Sequence, residues 1–144
     1  MPRNARIWIG LAAVLLMGWL WHGPAGRGEA YAARLETAAR AEIAPVGIQG
    51  VRVRMPRDPI RRTALMSGPA DDIQREGMGS EWGLNDYVRD VPGMAGVHWA
   101  DEPGGPGGLP LLVETLLQLA LAYALGFGLG AIFFARPKRK SFLD

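Results

Sequence analysis

Residues 109–135, LPLLVETLLQLALAYALGFGLGAIFFA, decide how the rest of the chain is read. The run is 27 residues long with one ionisable side chain, Glu114, and Arg136, Lys138, Arg139 and Lys140 follow it at once. A helix rises about 1.5 Å per residue, so about 20 residues cross the ~30 Å hydrocarbon core of a bilayer. The segment is long enough to span with some tilt. A buried core helix of a soluble domain would need more surrounding protein than a chain of 144 residues supplies.

Residues 7–21, IWIGLAAVLLMGWLW, form a second apolar run behind a short basic start containing Arg3 and Arg6. Its 15 residues and charged start match a secretory leader, with Gly28-Glu29-Ala30 as a loose small-x-small cleavage site. Trp8 at one end and Trp19 and Trp21 at the other favour an uncleaved anchor, because indole rings settle at membrane interfaces. The mean hydropathy near zero averages two apolar ends with a polar middle. Residues 22–108 hold ten Arg, no Lys and twelve Asp plus Glu, while the basic clusters lie just outside the apolar runs. Basic residues close to span ends stay cytoplasmic, which predicts both termini inside and the middle translocated. The pI of 9.4 is on this reading a topology signal, and no nucleic-acid partner is expected. With no Cys there is neither a disulfide framework nor thiolate chemistry.

The translocated middle alternates turn signals with short patterned runs. Residues 22–28, HGPAGRG, form an exit loop, and 29–43, EAYAARLETAARAEI, place Tyr31, Leu35, Ala38 or Ala39, and Ile43 at helical spacing. Pro45 and Gly47 end that helix. Val51-Arg52-Val53-Arg54-Met55 alternates strictly, as a strand with one packed and one wet face does. Pro56, Asp58 and Pro59 turn the chain, and Thr63 to Ser67 return as the second strand of a hairpin. Gly68 and Pro69 close it, Asp71 or Asp72 caps a new helix, and Leu84, Tyr87, Val88 and Val91 form an apolar stripe on its second part. Residues 77–83, GMGSEWG, interrupt this helix, since three Gly in seven residues cost roughly 1 kcal/mol each relative to Ala. Ala95 to Trp99 then read as a third strand, and 101–108, DEPGGPGG, as a flexible connector.

The segments LETAARAEI, VRVRM, TALMSGPADD and VRDVPGMAGVHW resemble the small periplasmic BON domain. The matching features are Ser67-Gly68 after the second strand, the helix after them, and Val91-Pro92-Gly93 before Val97. The resemblance covers about half the chain, with 77–83 as an insertion. It implies a two-layer α+β module that attaches to membranes or cell-envelope partners and has no enzyme activity. Two flanking spans are a departure from that family's soluble layout.

Two sets of residues stand out as candidate contact surfaces. On the last helix Glu114, Gln118, Ala122, Gly126 and Gly130 recur every four residues on one face. Small residues at this spacing allow close helix approach. That face is expected to be a seam against residues 7–21, whose Gly10 and Gly18 share a side, or against a second copy or a foreign subunit. Glu114 lies a few residues inside the predicted boundary, within reach of interfacial water or a headgroup, and has no ionisable partner in either span. Arg52, Arg54, Arg57, Arg61 and Arg62 fall within eleven residues around the hairpin. Such a patch suits lipid phosphates or an acidic envelope polymer through forked hydrogen bonds, or is simply a wet strand face balanced by Asp58, Asp71 and Asp72.

Catalytic chemistry finds no constellation. His22 and His98 are the only histidines and have no metal-ligand spacing. The glycines of 77–83 have the wrong spacing for a dinucleotide loop, and Ser80 is not in a nucleophile elbow. No catalytic, cofactor or metal residue is assigned. The expected architecture is α+β: a cytoplasmic start (1–6), a span or signal anchor (7–21), a loop (22–28), an α-β-β-α-β module (29–100), a Gly/Pro linker (101–108), a span (109–135) and a basic cytoplasmic tail (136–144). The expected role is a non-enzymatic binding or scaffold protein of a bacterial inner membrane. Its expected partners are the lipid bilayer, an anionic lipid or envelope polymer, and a protein partner or second copy held through the spans. The alternative is an accessory subunit of a larger membrane complex.

Overall fold

Two long apolar helices close the described chain at either end, and a mixed α+β module lies between them. A computed structural model describes residues 3–134; the basic tail expected at 136–144 lies outside the described residues. Helix α1 (Arg3–His22) and helix α5 (Leu111–Phe134) are each long and apolar enough to cross a membrane. They pack antiparallel: the Tyr123 hydroxyl, level with the start of α1, donates to the Ile7 carbonyl at 2.9 Å, while Gly18 near its end meets Leu116 and Leu119. Their remaining surface is exposed apolar side chain, including Leu117, Leu121, Leu125 and Ile132 of α5. This exposed apolar surface continues over both helices.

Between them run α2 (Arg27–Ile43), a 3-10 turn (Ala44–Val46), β1 (Arg52–Arg54), β2 (Thr63–Ser67), α3 (Asp72–Glu76), β3 (Gly77–Met78), β4 (Glu81–Trp82), α4 (Leu84–Arg89) and β5 (Gly96–Trp99). The main sheet has the order β1-β2-β5, with β1 antiparallel to β2 and β5 parallel to it. The parallel pair is possible because α3 and α4 carry the chain back over the sheet before β5 begins.

Period-two and period-3.6 patterns meet in one core. From α2, Ala32, Leu35 and Ala39 are buried at helical spacing. From the sheet come Val53, Met55, Ala64, Met66 and Trp99; from α4 and its end, Leu84, Val88 and Val91. The register places Val53 beside Met66 and Met66 beside Trp99, so these three share the face on which α2 and α4 lie. On the opposite face, Arg54, Leu65 and His98 are in line.

Local chemistry explains the boundaries. Asp71 caps α3 in a reciprocal box with Gln74, accepting its backbone N–H at 2.8 Å and returning the Asp71 N–H to Gln74 Oε1 at 3.1 Å. Residues 77–83 interrupt the helix by folding into the β3–β4 hairpin, where Gly77 registers with Trp82. A side chain at Gly77 would collide with the Glu81 carbonyl and one at Gly83 with the Arg75 carbonyl. Two glycines here allow backbones to touch, so the helix breaks for a close approach as well as for propensity.

The connector expected to be flexible is tied down instead. Thr63 Oγ1 donates to the Gly107 carbonyl at 2.7 Å, Arg61 donates to the Gly108 carbonyl, and the Leu111 N–H donates to the Ile60 carbonyl at 2.8 Å. Glu102 accepts the Trp99 N–H at 3.2 Å and lies 3.3 Å from His98 Nδ1. Residues 101–108 therefore strap back along the outer face of β2 and β5 and enter α5 in a fixed direction.

Candidate functional site

The five arginines around the hairpin do not form one patch. Arg57 reaches α2, with Nη2 3.2 Å from Glu36 Oε2 and Nη1 3.2 Å from the Glu29 carbonyl. Arg61 is spent on the strap and Arg62 on α5. These three hold elements together, which corrects the expectation of a five-residue ligand surface. Arg57 is exposed but paired, whereas Arg52 and Arg54 are exposed and have no ion pair among the described residues. They sit at the β1 edge, where a shallow cleft of about 500 Å³ runs between Arg52, Arg54 and Arg40 over Ile43, Ile48 and Val51. The edge itself is already occupied: Glu36 Oε2 accepts the Met55 N–H at 2.9 Å, and Arg40 Nε donates to the Val53 carbonyl at 3.3 Å. Side chains from α2 thus take the main-chain groups that another strand would pair with.

Glu114 does have a partner, and it comes from the module. Arg62 Nε donates to Glu114 Oε2 at 2.6 Å, and Arg62 Nη1 donates to the Gly93 carbonyl at 3.0 Å. The hydrogen bond to Glu114 is the main reason that the Arg62 guanidinium is held above its ordinary pKa. This clasp joins β2, the loop before β5 and the first turn of α5 in one contact. It replaces the expectation that Glu114 faces only water or a headgroup.

The clasp forms the floor of a second cleft, of about 470 Å³, where both apolar helices meet α2. Trp21 and His22 come from the end of α1; Arg27, Tyr31 and Arg34 share one face of α2; Glu114, Thr115 and Gln118 come from the first two turns of α5. Arg27 stacks over Trp21 with its guanidinium 5.0 Å from the ring centroid, an attraction of about 0.5–1 kcal/mol where water is near. His22 packs on Gly28, where an added methyl would come 2.5 Å from the imidazole. Three guanidiniums face one carboxylate in this cleft, and among the described residues neither Arg27 nor Arg34 has an acidic group within 4 Å.

The α1–α5 seam runs along a different line of α5 from the one expected. Gly10 lies against the Tyr123 ring and hydroxyl, and a methyl at Gly18 would stand 2.6 Å from Leu119. The glycines of α1 thus do face α5, but they meet Leu116, Leu119 and Tyr123. Gln118, Ala122 and Gly126 are exposed, and nothing among the described residues lies within 4 Å of a side chain added at Gly126 or Gly130. As a seam against residues 7–21 the Glu114-to-Gly130 line is corrected; its free part stays open along the helix.

A third polar centre lies in the module core. Trp99 Nε1 donates to Asn85 Oδ1 at 2.9 Å, and Asn85 Nδ2 donates to Glu76 Oε1 at 2.8 Å. Arg75 covers the Trp99 ring at 4.1 Å and pairs with Asp101 at 2.6 Å. This network is fully satisfied and locks α3, α4 and β5 together, so it is a structural centre. Among the described residues no group of three His, Asp or Glu could hold a metal ion.

No family model, curated protein or solved structure matches the chain.

Proposed function

We propose that this chain is a two-pass protein of a bacterial inner membrane that holds a small BON-like module on the periplasmic side, with both termini cytoplasmic, and acts by binding rather than catalysis. The observation that carries the reading is the clasp: Arg62, Arg61 and the strap fasten the module to the start of α5 at several points. A module fastened in one pose presents the same surface to the membrane and to partners, which is what a scaffold requires and a freely tethered domain lacks. The BON resemblance implies a helix, two strands, a helix and a strand, and this chain has α3, β3 and β4 in addition between β2 and α4. The free part of the hairpin patch, Arg52 and Arg54, is the partner-facing surface, suited to an anionic envelope component through guanidinium forks.

A second reading, an accessory subunit of a larger membrane complex, is favoured by the open line through Gln118, Ala122 and Gly126. Purification of the full chain in mild detergent separates the two. A constant stoichiometric set of membrane proteins that is lost in Gly126→Ile supports the subunit. Partners lost in Arg52→Glu/Arg54→Glu and kept in Gly126→Ile support the scaffold, and an unchanged set in the double variant refutes the role given to those two arginines.

A further inference from the structure

The cleft over the Arg62–Glu114 clasp holds positive charge that neither helix packing nor module folding neutralises. Arg62 is neutralised by Glu114. Arg27 and Arg34 are not neutralised: the acidic residues of α2 that form pairs, Glu29 and Glu36, do so with Arg57 and Arg40 outside the cleft. Two unpaired guanidiniums seven residues apart on one helix converge on a space of about 470 Å³, inside the size range of small-ligand sites. Guanidinium forks match the tetrahedral oxygens of a phosphate.

The position of the cleft decides where that phosphate comes from. One wall is the end of α1, with Trp21 at its rim as interfacial tryptophans stand. Another wall is α5, whose exposed Val113, Leu117 and Leu121 continue away from the cleft as lipid-facing surface. Gln118 lies one helical turn beyond Glu114 and is exposed, so its amide N–H groups stand on the bilayer side of the arginines. A soluble anion would use only the arginines. A phospholipid would use the whole cleft: phosphate on Arg27 and Arg34, glycerol and ester oxygens toward Thr115 and Gln118, and acyl chains along α5.

We infer that this cleft binds the phosphate headgroup of an anionic phospholipid from the leaflet on the module side. The inference rests on both apolar helices lying in a bilayer, which the proposed function also requires. The site needs α1, α2 and α5 together, so it exists only in the membrane-anchored chain.

The test is native mass spectrometry of the full chain in mild detergent, titrated with phosphatidylglycerol, with phosphatidylcholine, and with inorganic phosphate as competitor. Wild type should hold one phosphatidylglycerol, with an occupancy ratio over phosphatidylcholine of about tenfold, because the choline ammonium that shares the phosphate would stand against the net positive charge of the cleft. Arg27→Gln/Arg34→Gln should abolish that ratio, Arg89→Gln, outside the cleft on α4, should keep it, and millimolar phosphate should not displace the lipid. Equal binding of the two lipids, retention in the double variant, equal loss in Arg89→Gln, or displacement by phosphate would each overturn the inference. Labelling of a cysteine at Ser80 in cells expressing the same chain separates the two failures: correct topology without lipid preference removes the site alone, whereas wrong topology removes the proposed function as well.

Discussion

Replacing Glu114 by Gln keeps the shape of the clasp and removes its charge. Arg62 and Glu114 are 30% and 18% exposed at the side chain, so the guanidinium would be left in a partly dry site with a neutral amide oxygen and the Gly93 carbonyl in place of its counter-charge. A hydrogen bond to a charged group contributes about 1.5–3 kcal/mol net. Partial exposure lets water compensate, which reduces the expected loss to about 1–2 kcal/mol. At 1.4 kcal/mol per decade the module should open from α5 roughly 5 to 30 times more often. Hydrogen exchange of the detergent-solubilised chain reads this opening directly. The Leu111 N–H bonded to Ile60 crosses the joint, whereas the Ala95 N–H bonded to Arg62 and the Ala100 N–H bonded to Met66 extend the β2–β5 pair at its two ends, inside the module. The first should exchange faster by that factor and the other two should not change. Unchanged exchange at Leu111 would show that the clasp does not fasten the module. Equal acceleration at all three would show that Glu114 supports the whole fold, and the reasoning would be wrong.

Other perturbations follow from the same geometry. Gly18→Ile should weaken the α1–α5 pair by about 1–3 kcal/mol through overpacking against Leu119, read as a lower thermal midpoint in detergent, while Gly126→Ile should leave that midpoint unchanged. Asn85→Leu leaves the buried Trp99 indole N–H and part of Glu76 without a partner, and chemical denaturation should show a loss of about 1–3 kcal/mol. The Arg75 hydrogen bond holds the Asp101 carboxyl below its ordinary 3.8. Its stabilisation is therefore complete above that value and is lost as the pH falls through the lowered pKa. Unfolding midpoints taken below pH 3.8 should fall less steeply in Asp101→Asn than in wild type.

Much of the module was legible because its signals are local. Strict alternation over Val51 to Met55 matches the side-chain period of a strand, and the turn at Pro56, Asp58 and Pro59 returns the chain as Thr63 to Ser67 beside it. The α2 stripe and the Asp71 cap lie within a few residues of their partners. The strap was not legible, because a Gly- and Pro-rich run has no pattern of its own, and its order comes from Thr63 and Arg61 more than 40 residues away. The clasp was missed for the same reason: 52 residues separate Arg62 from Glu114, so composition shows an arginine patch and an isolated acid, and only the fold brings them into one contact. The junction cleft draws on three separate helices; its one advance sign was Trp21-His22 at a span end with Arg27 and Arg34 on the next helix. Helix periodicity placed Gly10 and Gly18 on one side, but the side of α5 that they meet is set by Tyr123 and Leu119, which no small-residue rule selects.

The opposite placement of the module and the carboxyl end underlies every part of this account. The chain has no cysteine, so single cysteines at Ser80, exposed in the β3–β4 hairpin, and at Ser141 in the basic tail can be labelled with a membrane-impermeant maleimide in intact cells without background. The two-pass topology predicts that Ser80→Cys labels once the outer envelope is made permeable and that Ser141→Cys labels only after the inner membrane is lysed. Protection of Ser80→Cys until inner-membrane lysis, or labelling of both positions before it, would contradict a periplasmic module held between two cytoplasmic termini.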